Sequence, residues 1–265
     1  MTADATEAND NSKRALEAKP PLTVMNLVKV YPKSSLPALQ DLNLVVGNGE
    51  IYGLLGPNGA GKTTAISIMT AGLLPTEGRV EIYGLDVVRH RSRVKQLIGL
   101  VPQDIALYPD LTARENLSYF GKLYGLSGSE LADRIAETLE LVGLTGKADQ
   151  VVKTYSGGMK RRVNLAAGIL HTPRLVFLDE PTVGIDAQSR NLILEKLSSL
   201  KSSGTTMIYT THYMEEAQQL CTRAAVMDEG RVIEEGPPAS LIQKHPDCGN
   251  LGDLFLKLTG KNLRD

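Results

Sequence analysis

Strand-like and helix-like stretches alternate along most of this chain. Short apolar runs bounded by glycine, proline and polar residues predict strands at 23–30, 42–46, 51–55, 79–82, 98–101, 174–178, 205–209 and 224–227. Apolar residues spaced three or four apart predict helices at 64–74, 112–123, 129–142, 159–170 and 190–202. Strands that alternate with helices favour a parallel sheet covered on both faces.

The same pattern divides the chain into three parts. Residues 1–21 are polar with charges of both signs, which is typical of a disordered tail. Residues 22–250 are expected to form one domain, and its helical pattern from about 104 to 165 predicts an inserted helical subdomain. Residues 251–265 are expected to form a C-terminal amphipathic helix, which we expect to dock on the core rather than to anchor the chain in a membrane.

Composition excludes several classes of protein. The chain has 265 residues, 42% hydrophobic residues and a formal net charge of -1, so it is expected to fold around a full core and has no global attraction to nucleic acid. No apolar run approaches the length of a membrane span. Cys221 and Cys248 lack metal-ligand spacing and are expected to be free thiols in a reducing cytosol.

A glycine-rich loop connects the strand at 51–55 to the helix that opens at Thr64. It fits the pattern G-x-x-x-x-G-K-[ST] and comprises Gly56, Pro57, Asn58, Gly59, Ala60, Gly61, Lys62 and Thr63. In this pattern the backbone N–H groups turn inward around phosphates, and the following helix adds its positive N-terminal end. Lys62 is expected to reach the β and γ phosphates, and the Thr63 hydroxyl to bind Mg²⁺. The loop therefore predicts a nucleoside triphosphate site.

Two adjacent carboxylates follow the apolar strand at 174–178. In an open parallel sheet, ligands bind at the carboxyl ends of the strands. Asp179 is expected to hold Mg²⁺ together with Thr63, and Glu180 to point at the water that attacks the γ phosphate. Alternatively, Glu180 is only an exposed loop charge, which the proline at 181 disfavours because it fixes the turn after the strand.

A Ser-Gly-Gly turn at 156–158 precedes the helix at 159–170. It exposes helix N-terminal amides and so offers a second anion site. Two such sites serve one nucleotide if two copies of the chain face each other and each closes the other's pocket. The basic residues at 160–162 are expected to form a solvated helix face.

Six motifs in this order resemble those of the ATP-binding subunits of ABC transporters, from about Leu22 to the C-terminus. They are the Walker A loop at 56–63, Gln103 of the Q-loop, the signature at 155–159, Asp179 and Glu180 of Walker B, Asp186 of the D-loop and His212 of the switch. The resemblance implies an α/β fold, with a phosphate-loop NTPase core, a mostly parallel sheet, an N-terminal antiparallel β portion and an inserted helical subdomain. It also implies ATP and Mg²⁺ as ligands.

The resemblance further implies roles for residues at matching positions. Tyr31 is expected to stack on adenine, and Gln103 to contact Mg²⁺ and the attacking water. His212 is expected to contact the γ phosphate and, with Glu180 and Gln103, to make up the catalytic set. The turn formed by Ser156, Gly157 and Gly158 is expected to bind the ATP of the opposite subunit, and Asp186 to complete the nucleotide-binding residues.

The partners implied are a transmembrane permease and a second ATPase subunit, identical or closely related, at the cytoplasmic face of the cell membrane. The helical subdomain is expected to contact the permease and to couple to ATP through Gln103. Tyr155 and Met159 replace the usual outer residues of the signature, Leu and Gln. With these departures the motif resembles that of the ATPases of bacterial drug, antibiotic and lipid exporters. Because the Ser-Gly-Gly amides remain, both sites are expected to be active.

Two other classes of function stay open. A non-transport ABC ATPase that acts on nucleic acid or the ribosome carries a tandem ATPase, long heptad insertions or zinc-binding cysteines, and this sequence shows none of them. A small-molecule kinase is disfavoured by the signature turn and His212. A GTPase is disfavoured because the sequence has no Asn-Lys-x-Asp guanine motif.

Overall fold

The computed structural model describes residues 19–32 and 34–260. Within them the strands are β1 (Leu22–Lys29), β2 (Leu39–Val46), β3 (Ile51–Leu55), β4 (Glu77–Ile82), β5 (Leu85–Asp86), β6 (Ile98–Val101), β7 (Leu175–Asp179), β8 (Thr206–Thr211), β9 (Arg223–Asp228) and β10 (Arg231–Gly236). The helices are α1 (Lys62–Met69), α2 (Arg91–Leu97), α3 (Ala113–Leu123), α4 (Gly128–Leu141), α5 (Gly157–Ile169), α6 (Ala187–Ser202), α7 (Met214–Leu220), α8 (Pro238–Gln243) and α9 (Leu251–Thr259). The predicted tail lies outside the described residues up to residue 18, and so do the last five residues of the predicted C-terminal helix.

Two sheets build the fold. The larger has the order β10-β9-β3-β8-β7-β6, in which every neighbouring pair is parallel except β9 with β10. The smaller is antiparallel, with the order β2-β1-β4-β5. The α/β class is confirmed, with its mostly parallel sheet and its N-terminal antiparallel portion.

Three of the parallel strands are buried along their whole length. Every residue of β3, β7 and β8 is buried, because elements cover both faces of this sheet. Alternate residues of β3 face opposite sides: Leu54 packs in the core shared with the smaller sheet, and Leu55 in the core shared with the helices that follow. The sheet thus divides the hydrophobic core into two layers, and it presents the carboxyl ends of its parallel strands along one edge.

Helices α3, α4 and α5 lie between β6 and β7 in the chain. Helix α3 begins with a capping box, in which Thr112 accepts from the Glu115 amide and Glu115 accepts from the Thr112 amide. Helix α4 buries Leu131, Ile135 and Leu139 at the spacing seen in the sequence. These residues join the core layer that also contains Leu55 of β3, so the helical segment is packed onto the sheet.

Several boundaries differ from the sequence predictions. The helix predicted at 64–74 ends at Met69, because Ala71 adopts a left-handed backbone conformation with φ of 58°. Helix α6 starts earlier than predicted, because the Asp186 side chain caps it. The sequence patterns did not predict α2, α7, α8 or β10, which are six or seven residues long.

The last helix packs on the domain. Helix α9 buries Leu251, Leu254 and Phe255 in the same core layer as the helical segment. Over the described part of the chain, none of the helices combines the length and the apolar character needed to cross a membrane. The apolar face of α9 is therefore accounted for by packing.

Candidate functional site

The glycine-rich loop runs from the end of β3 into α1. Gly59 and Gly61 have positive φ angles of 85° and 101°, which glycine adopts without strain. A Cβ atom at Gly56 would lie 2.5 Å from the Met227 carbonyl oxygen, and one at Gly61 would lie 2.5 Å from the Ala38 carbonyl oxygen. The loop backbone therefore approaches its neighbours so closely that side chains at these two positions do not fit.

The first turn of α1 is suited to an anion. It has no side-chain cap and no acidic residue, so the helix dipole is not offset by a carboxylate of its own. Lys62 is buried, and its Nζ donates to the carbonyl oxygens of Gly56 at 2.7 Å and Pro57 at 3.2 Å. A cavity of about 160 Å³ lies here, lined by Ala38, Pro57, Asn58, Gly59, Gly61, Lys62, Thr63, Thr64, Gln103 and Glu180.

These features fit phosphate groups. The glycine cradle turns the loop around a small space, the uncapped helix N-terminus points into it, and a buried ammonium lies at its base. Ala60, the remaining loop residue, is buried, and its carbonyl oxygen accepts from the Gly230 amide. The loop is therefore held from the β9–β10 turn as well as from its own strand and helix.

Asp179 is the last residue of β7 and is buried. Its Oδ1 accepts from the Thr210 hydroxyl of β8 at 2.7 Å. Burial raises the pKa of the Asp179 carboxyl, against the opposing effects of hydrogen bonds from Thr210 and Thr63 and of the Lys62 charge. The contact with Thr63 brings together the two oxygen ligands predicted for Mg²⁺, and oxygen donors are the ligands that this ion prefers.

Glu180 follows Asp179 with a strained backbone. Its φ angle is 46°, in the left-handed region that residues other than glycine rarely occupy. Its amide donates to the hydroxyl of Thr210 at 2.9 Å and to the carbonyl oxygen of the same residue at 3.2 Å. Thr210 thus contacts the Asp179 carboxylate and the Glu180 backbone, a role that the sequence pattern does not predict.

Three predicted site residues converge on the Glu180 carboxylate. Its Oε1 lies 3.2 Å from Lys62 Nζ, and its Oε2 lies 3.2 Å from His212 Nδ1. Gln103 Nε2 donates to Oε2 at 3.5 Å. These side chains come from the ends of β6, β7 and β8 and from the start of α1, so the sheet edge brings together residues that are far apart in the sequence.

Tyr31 lies beside the same loop. This residue is 41% exposed, and its hydroxyl lies 3.2 Å from Thr64 Oγ1. Lys29 Nζ lies 5.4 Å from the ring centroid, a distance typical of a cation–π contact. An exposed aromatic face next to the phosphate loop is suited to stacking on a planar base.

The Ser-Gly-Gly turn lies beside the D-loop of its own chain. Ser156 Oγ accepts from the Met159 amide and caps α5, and Ser156 and Gly157 are exposed. A Cβ at Gly158 would lie 2.1 Å from Ser189 Oγ, and this hydroxyl donates to Asp186 Oδ2 at 2.7 Å. The turn and Asp186 therefore form one surface, distinct from the cluster around Glu180.

The outer residues of the signature motif point away from this surface. The Tyr155 side chain is buried in the helical segment, and its hydroxyl donates to the Lys147 carbonyl oxygen. Met159 is half-buried and packs against the same core layer. Replacing the usual leucine and glutamine therefore changes the packing behind the turn and leaves the exposed residues Ser156 and Gly157 in place.

The expectation that the basic residues at 160–162 form a solvated face is wrong for Arg161. This residue is 6% exposed, and its guanidinium donates to the carbonyl oxygens of Pro102, Gln103 and Val183. It therefore connects α5 to the segment that contains Gln103 and to the segment that follows Glu180. The sequence does not predict this burial, because the partners of Arg161 are backbone carbonyl groups, which every residue has.

A larger cavity lies away from the motifs. It has a volume of about 630 Å³ and lies near Arg134, Thr172 and Thr205, at the amino ends of β7 and β8. None of the predicted site residues lines it. By size alone this cavity would be taken as the ligand site. The charged residues and the glycine-rich loop, however, lie at the opposite edge of the sheet, where parallel sheets bind ligands.

Known proteins resemble this chain over most of its length. Residues 39–183 match the protein family described as ABC transporter. The linearmycin resistance ATP-binding protein of Bacillus subtilis is 46% identical over 246 residues, which cover 92% of this chain and 76% of that protein. The Nod factor export ATP-binding protein I of Cupriavidus metallidurans is 40% identical over 227 residues, which cover 86% of this chain and 74% of that protein.

Solved structures give the same result. An ATP-binding subunit of an ABC transporter superimposes with a TM-score of 0.81 and 28% identity, covering 90% of this chain and 99% of that one. A dimeric ATP-binding cassette bound to ADP and phosphate, in a post-hydrolysis state, superimposes with a TM-score of 0.75 and 28% identity. The match covers 82% of this chain and 98% of that one.

Proposed function

Because this chain belongs to the ABC transporter family and is an ATPase, we propose that it powers the export of a drug, antibiotic or lipid-like compound through a membrane-spanning partner. The relatives named for linearmycin resistance and for Nod factor export support the direction of transport and the class of compound. In this proposal the chain supplies the energy, and the partner binds the compound.

The observation that carries the catalytic proposal is the convergence on Glu180. A carboxylate held 3.2 Å from both Lys62 and His212, beside a phosphate loop, is placed to accept the proton of a water molecule that attacks the γ phosphate. Lys62 binds the phosphates, and His212 and Gln103 orient the groups around the reacting phosphorus. The strained backbone of Glu180 supports this role, because such strain is concentrated at functional sites.

Mg²⁺ is the metal ion that these residues fit. Thr63 and Asp179 would hold it, with Gln103 as a further oxygen ligand, and the ion would neutralise charge on the phosphates. Thr210 orients Asp179 through its 2.7 Å hydrogen bond. The hydroxyl of Thr210 therefore acts as a partner that fixes the direction of a metal ligand.

We propose that two copies of the chain, or this chain and a closely related one, enclose two ATP molecules. The support is the position of the signature turn, which exposes Ser156 and Gly157 and lies beside Asp186 rather than in the cluster around Glu180. A dimer of two-fold symmetry would bring the turn of one copy to the phosphate loop of the other. A structural relative that is dimeric and bound to ADP and phosphate supports the formation of a dimer.

An exposed group of aromatic and aliphatic side chains is suited to the membrane partner. It comprises Tyr108, Tyr119, Phe120 and Leu123, and is called the aromatic patch below. The side chains of Tyr108, Tyr119 and Leu123 are 46%, 41% and 66% exposed. The rings of Tyr108 and Tyr119 pack edge to face at 4.9 Å, so they form one continuous apolar surface.

The aromatic patch is connected to Gln103 by a short, well-anchored segment. The buried amide of Asn116 accepts from the Tyr108 amide at 2.8 Å and donates to the Tyr108 carbonyl oxygen at 3.0 Å. Asn164 accepts from the Ala106 amide at 3.1 Å. Movement of the patch would therefore be passed along residues 103–108 to the Gln103 side chain, which contacts Glu180.

The test is reconstitution of the chain with the membrane-spanning protein that copurifies with it. In liposomes, the complex is expected to transport antibiotic or lipid-like compounds with ATP and to hydrolyse ATP faster in their presence. Leu123→Ala should reduce this stimulation and leave the hydrolysis rate of the isolated chain unchanged. Leu74→Ala, an equally large change at a residue that is 63% exposed elsewhere, is the control. ATP-dependent uptake of the compounds in place of export would overturn the proposed direction.

A further inference from the structure

A second buried carboxylate lies behind the catalytic cluster. Glu216 of α7 is 3% exposed, and its Oε2 accepts hydrogen bonds from three hydroxyl groups: Tyr209 at 2.6 Å, Thr182 at 2.9 Å and Thr211 at 3.1 Å. Its Oε1 forms an ion pair with Arg190 Nε at 3.4 Å. One side chain thus joins β8, the segment after β7, and α6.

These partners lie next to the proposed catalytic groups in the sequence. Thr182 is two residues after Glu180, and Thr211 is immediately before His212. Both segments lead directly into the pair in which His212 Nδ1 lies 3.2 Å from Glu180 Oε2. The carboxylate of Glu216 therefore holds the two chain segments that set this distance.

The contacts around Thr211 extend the support to the far side of His212. The Thr211 hydroxyl donates to Glu216 and accepts from the Tyr213 amide at 2.9 Å. The Arg190 guanidinium lies 4.5 Å from the centre of the Tyr213 ring. His212 is thus flanked on both sides by residues that the Glu216 network fixes.

Packing alone does not account for a carboxylate at this position. Burying a charged group costs more free energy than burying an apolar side chain of similar size, and hydrogen bonds and a cation only offset that cost. The hydroxyl groups of Thr182 and Thr211 could each be satisfied by a local backbone carbonyl, as threonine hydroxyls often are. Here they instead point at one shared acceptor, which fixes the two segments relative to each other.

We propose that Glu216 is a positioning residue for ATP hydrolysis, which holds Glu180 and His212 in register through Thr182 and Thr211. This inference rests on the proposed roles of Glu180 and His212. In this proposal Glu216 does not contact ATP. Its loss should therefore lower the rate of the chemical step and leave the affinity for nucleotide nearly unchanged. A loss of orientation by about 1 Å at reacting groups lowers rates by up to about 100-fold.

The test compares Glu216→Gln with Glu215→Gln in the full chain, reconstituted with its membrane partner where hydrolysis requires it. Glutamine keeps the size of the side chain but removes the charge and one of the acceptor oxygens. We expect kcat per ATP-binding site to fall by about 10- to 100-fold, with ATP affinity changed by less than about threefold. Glu215 is exposed on the same helix, and its change should leave both quantities unaltered.

Glu180→Gln is measured alongside, because it separates the two proposals. If Glu180→Gln hydrolyses ATP at the wild-type rate, the proposed role of Glu180 is wrong, and the inference about Glu216 is wrong with it. If Glu180→Gln loses turnover but Glu216→Gln lowers only the melting temperature, with unchanged kcat per binding site, Glu216 is merely structural. That second result overturns this inference alone.

Thr182→Val and Thr211→Val give a second route if Glu216→Gln does not fold. Each removes one hydroxyl donor and keeps the shape of the side chain, and each is expected to lower kcat more than ATP affinity. Each threonine substitution is combined with Glu216→Gln in a double-mutant cycle, or the two are combined with each other if Glu216→Gln is unstable. The effects of the combined substitutions on kcat should be non-additive. Independent, additive effects would contradict a shared network.

Discussion

The Glu180 carboxylate lies 3.2 Å from the Lys62 ammonium, and both side chains are only 5% exposed. The residue proposed to activate water is thus paired with the residue proposed to bind the phosphates. Because a buried charge is costly without a partner, each of these opposite charges offsets part of the cost of burying the other. ATP phosphates that approach Lys62 must therefore compete with Glu180 for its positive charge.

This pairing predicts the phenotype of Glu180→Gln. The neutral amide holds a water molecule but does not accept its proton as well as a carboxylate, so kcat should fall by about 10²- to 10⁴-fold. ATP affinity should stay the same or rise, because Lys62 no longer has an anionic neighbour. Single-turnover hydrolysis and calorimetric titration with MgATP measure the two effects separately. A variant that cleaves ATP at the wild-type rate would show that Glu180 is a structural charge.

Lys62→Ala is expected to have the opposite profile. Removing the ammonium removes charge-assisted hydrogen bonds to phosphate, so MgATP should bind about 10- to 100-fold more weakly. Titration calorimetry gives the affinity, and circular dichroism checks that the fold is intact. Lys95→Ala, which removes one exposed lysine from α2, is the matched control. Wild-type affinity in folded Lys62→Ala would refute the assignment of this loop.

The sequence predicted the residues of this pair but not what surrounds them. Lys62 and Glu180 belong to local motifs whose neighbours in sequence are also their neighbours in space, at the start of a helix and the end of a strand. Gln103 and His212 were assigned only through the resemblance to ABC transporter subunits, and they lie near Glu180 because the ends of parallel strands meet at one edge. Local motifs were enough to identify Lys62 and Glu180 alone.

Three supporting residues were missed for a physical reason. Glu216 contacts Thr182, which lies 34 positions away, and Arg161 contacts the carbonyl oxygen of Gln103, 58 positions away. Helix α7, which carries Glu216, has seven residues and is too short to show a helical period. Thr210 lies inside a strand, where threonine is common, so the sequence gives no signal that it contacts the Asp179 carboxylate and the Glu180 amide.

Asp179→Asn tests the metal ligand. Asparagine retains an oxygen that accepts from Thr210 but loses the negative charge that binds a divalent cation. The concentration of Mg²⁺ needed for half-maximal ATP binding should therefore rise about tenfold or more, as metal affinity falls when a ligand charge is removed. Titration of ATP binding against Mg²⁺, with Asp104→Asn as a control near the site, measures this. An unchanged Mg²⁺ requirement would exclude Asp179 as a ligand.

Ser156→Arg tests the two-copy arrangement. In the Glu180→Gln background, ATP should stay bound and assemble a dimer that light scattering detects. An arginine at the exposed cap of α5 places bulk and charge at the proposed interface, so the dimer should not form, although each chain still binds ATP. Ser129→Arg, at an exposed position in α4, should leave assembly intact. If Ser156→Arg dimerises as well as its parent, the signature turn does not close the opposite site.

Arg161→Lys tests whether the buried guanidinium connects the two sides of the site. Arg161 reaches Gln103 and Val183 at once because its planar fork carries donors in two directions, whereas lysine has a single ammonium. The substitution leaves buried carbonyl groups unsatisfied, so we expect the free energy of unfolding to fall by about 1–3 kcal/mol. It also loosens the segment that carries Gln103, so kcat should fall about tenfold with little change in ATP affinity.

Arg162→Lys is the control on the same helix. Its guanidinium donates to the carbonyl oxygens of Val142 and Gly143, at the end of α4, and to none of the segments that carry catalytic groups. This variant should therefore lose stability in denaturant titrations and keep kcat per ATP-binding site near the wild-type value. Equal loss of kcat in the two variants would mean that both arginines act through overall stability. A loss confined to Arg161→Lys would mean that the contacts of Arg161 with Gln103 and Val183 set the geometry in which Glu180 works.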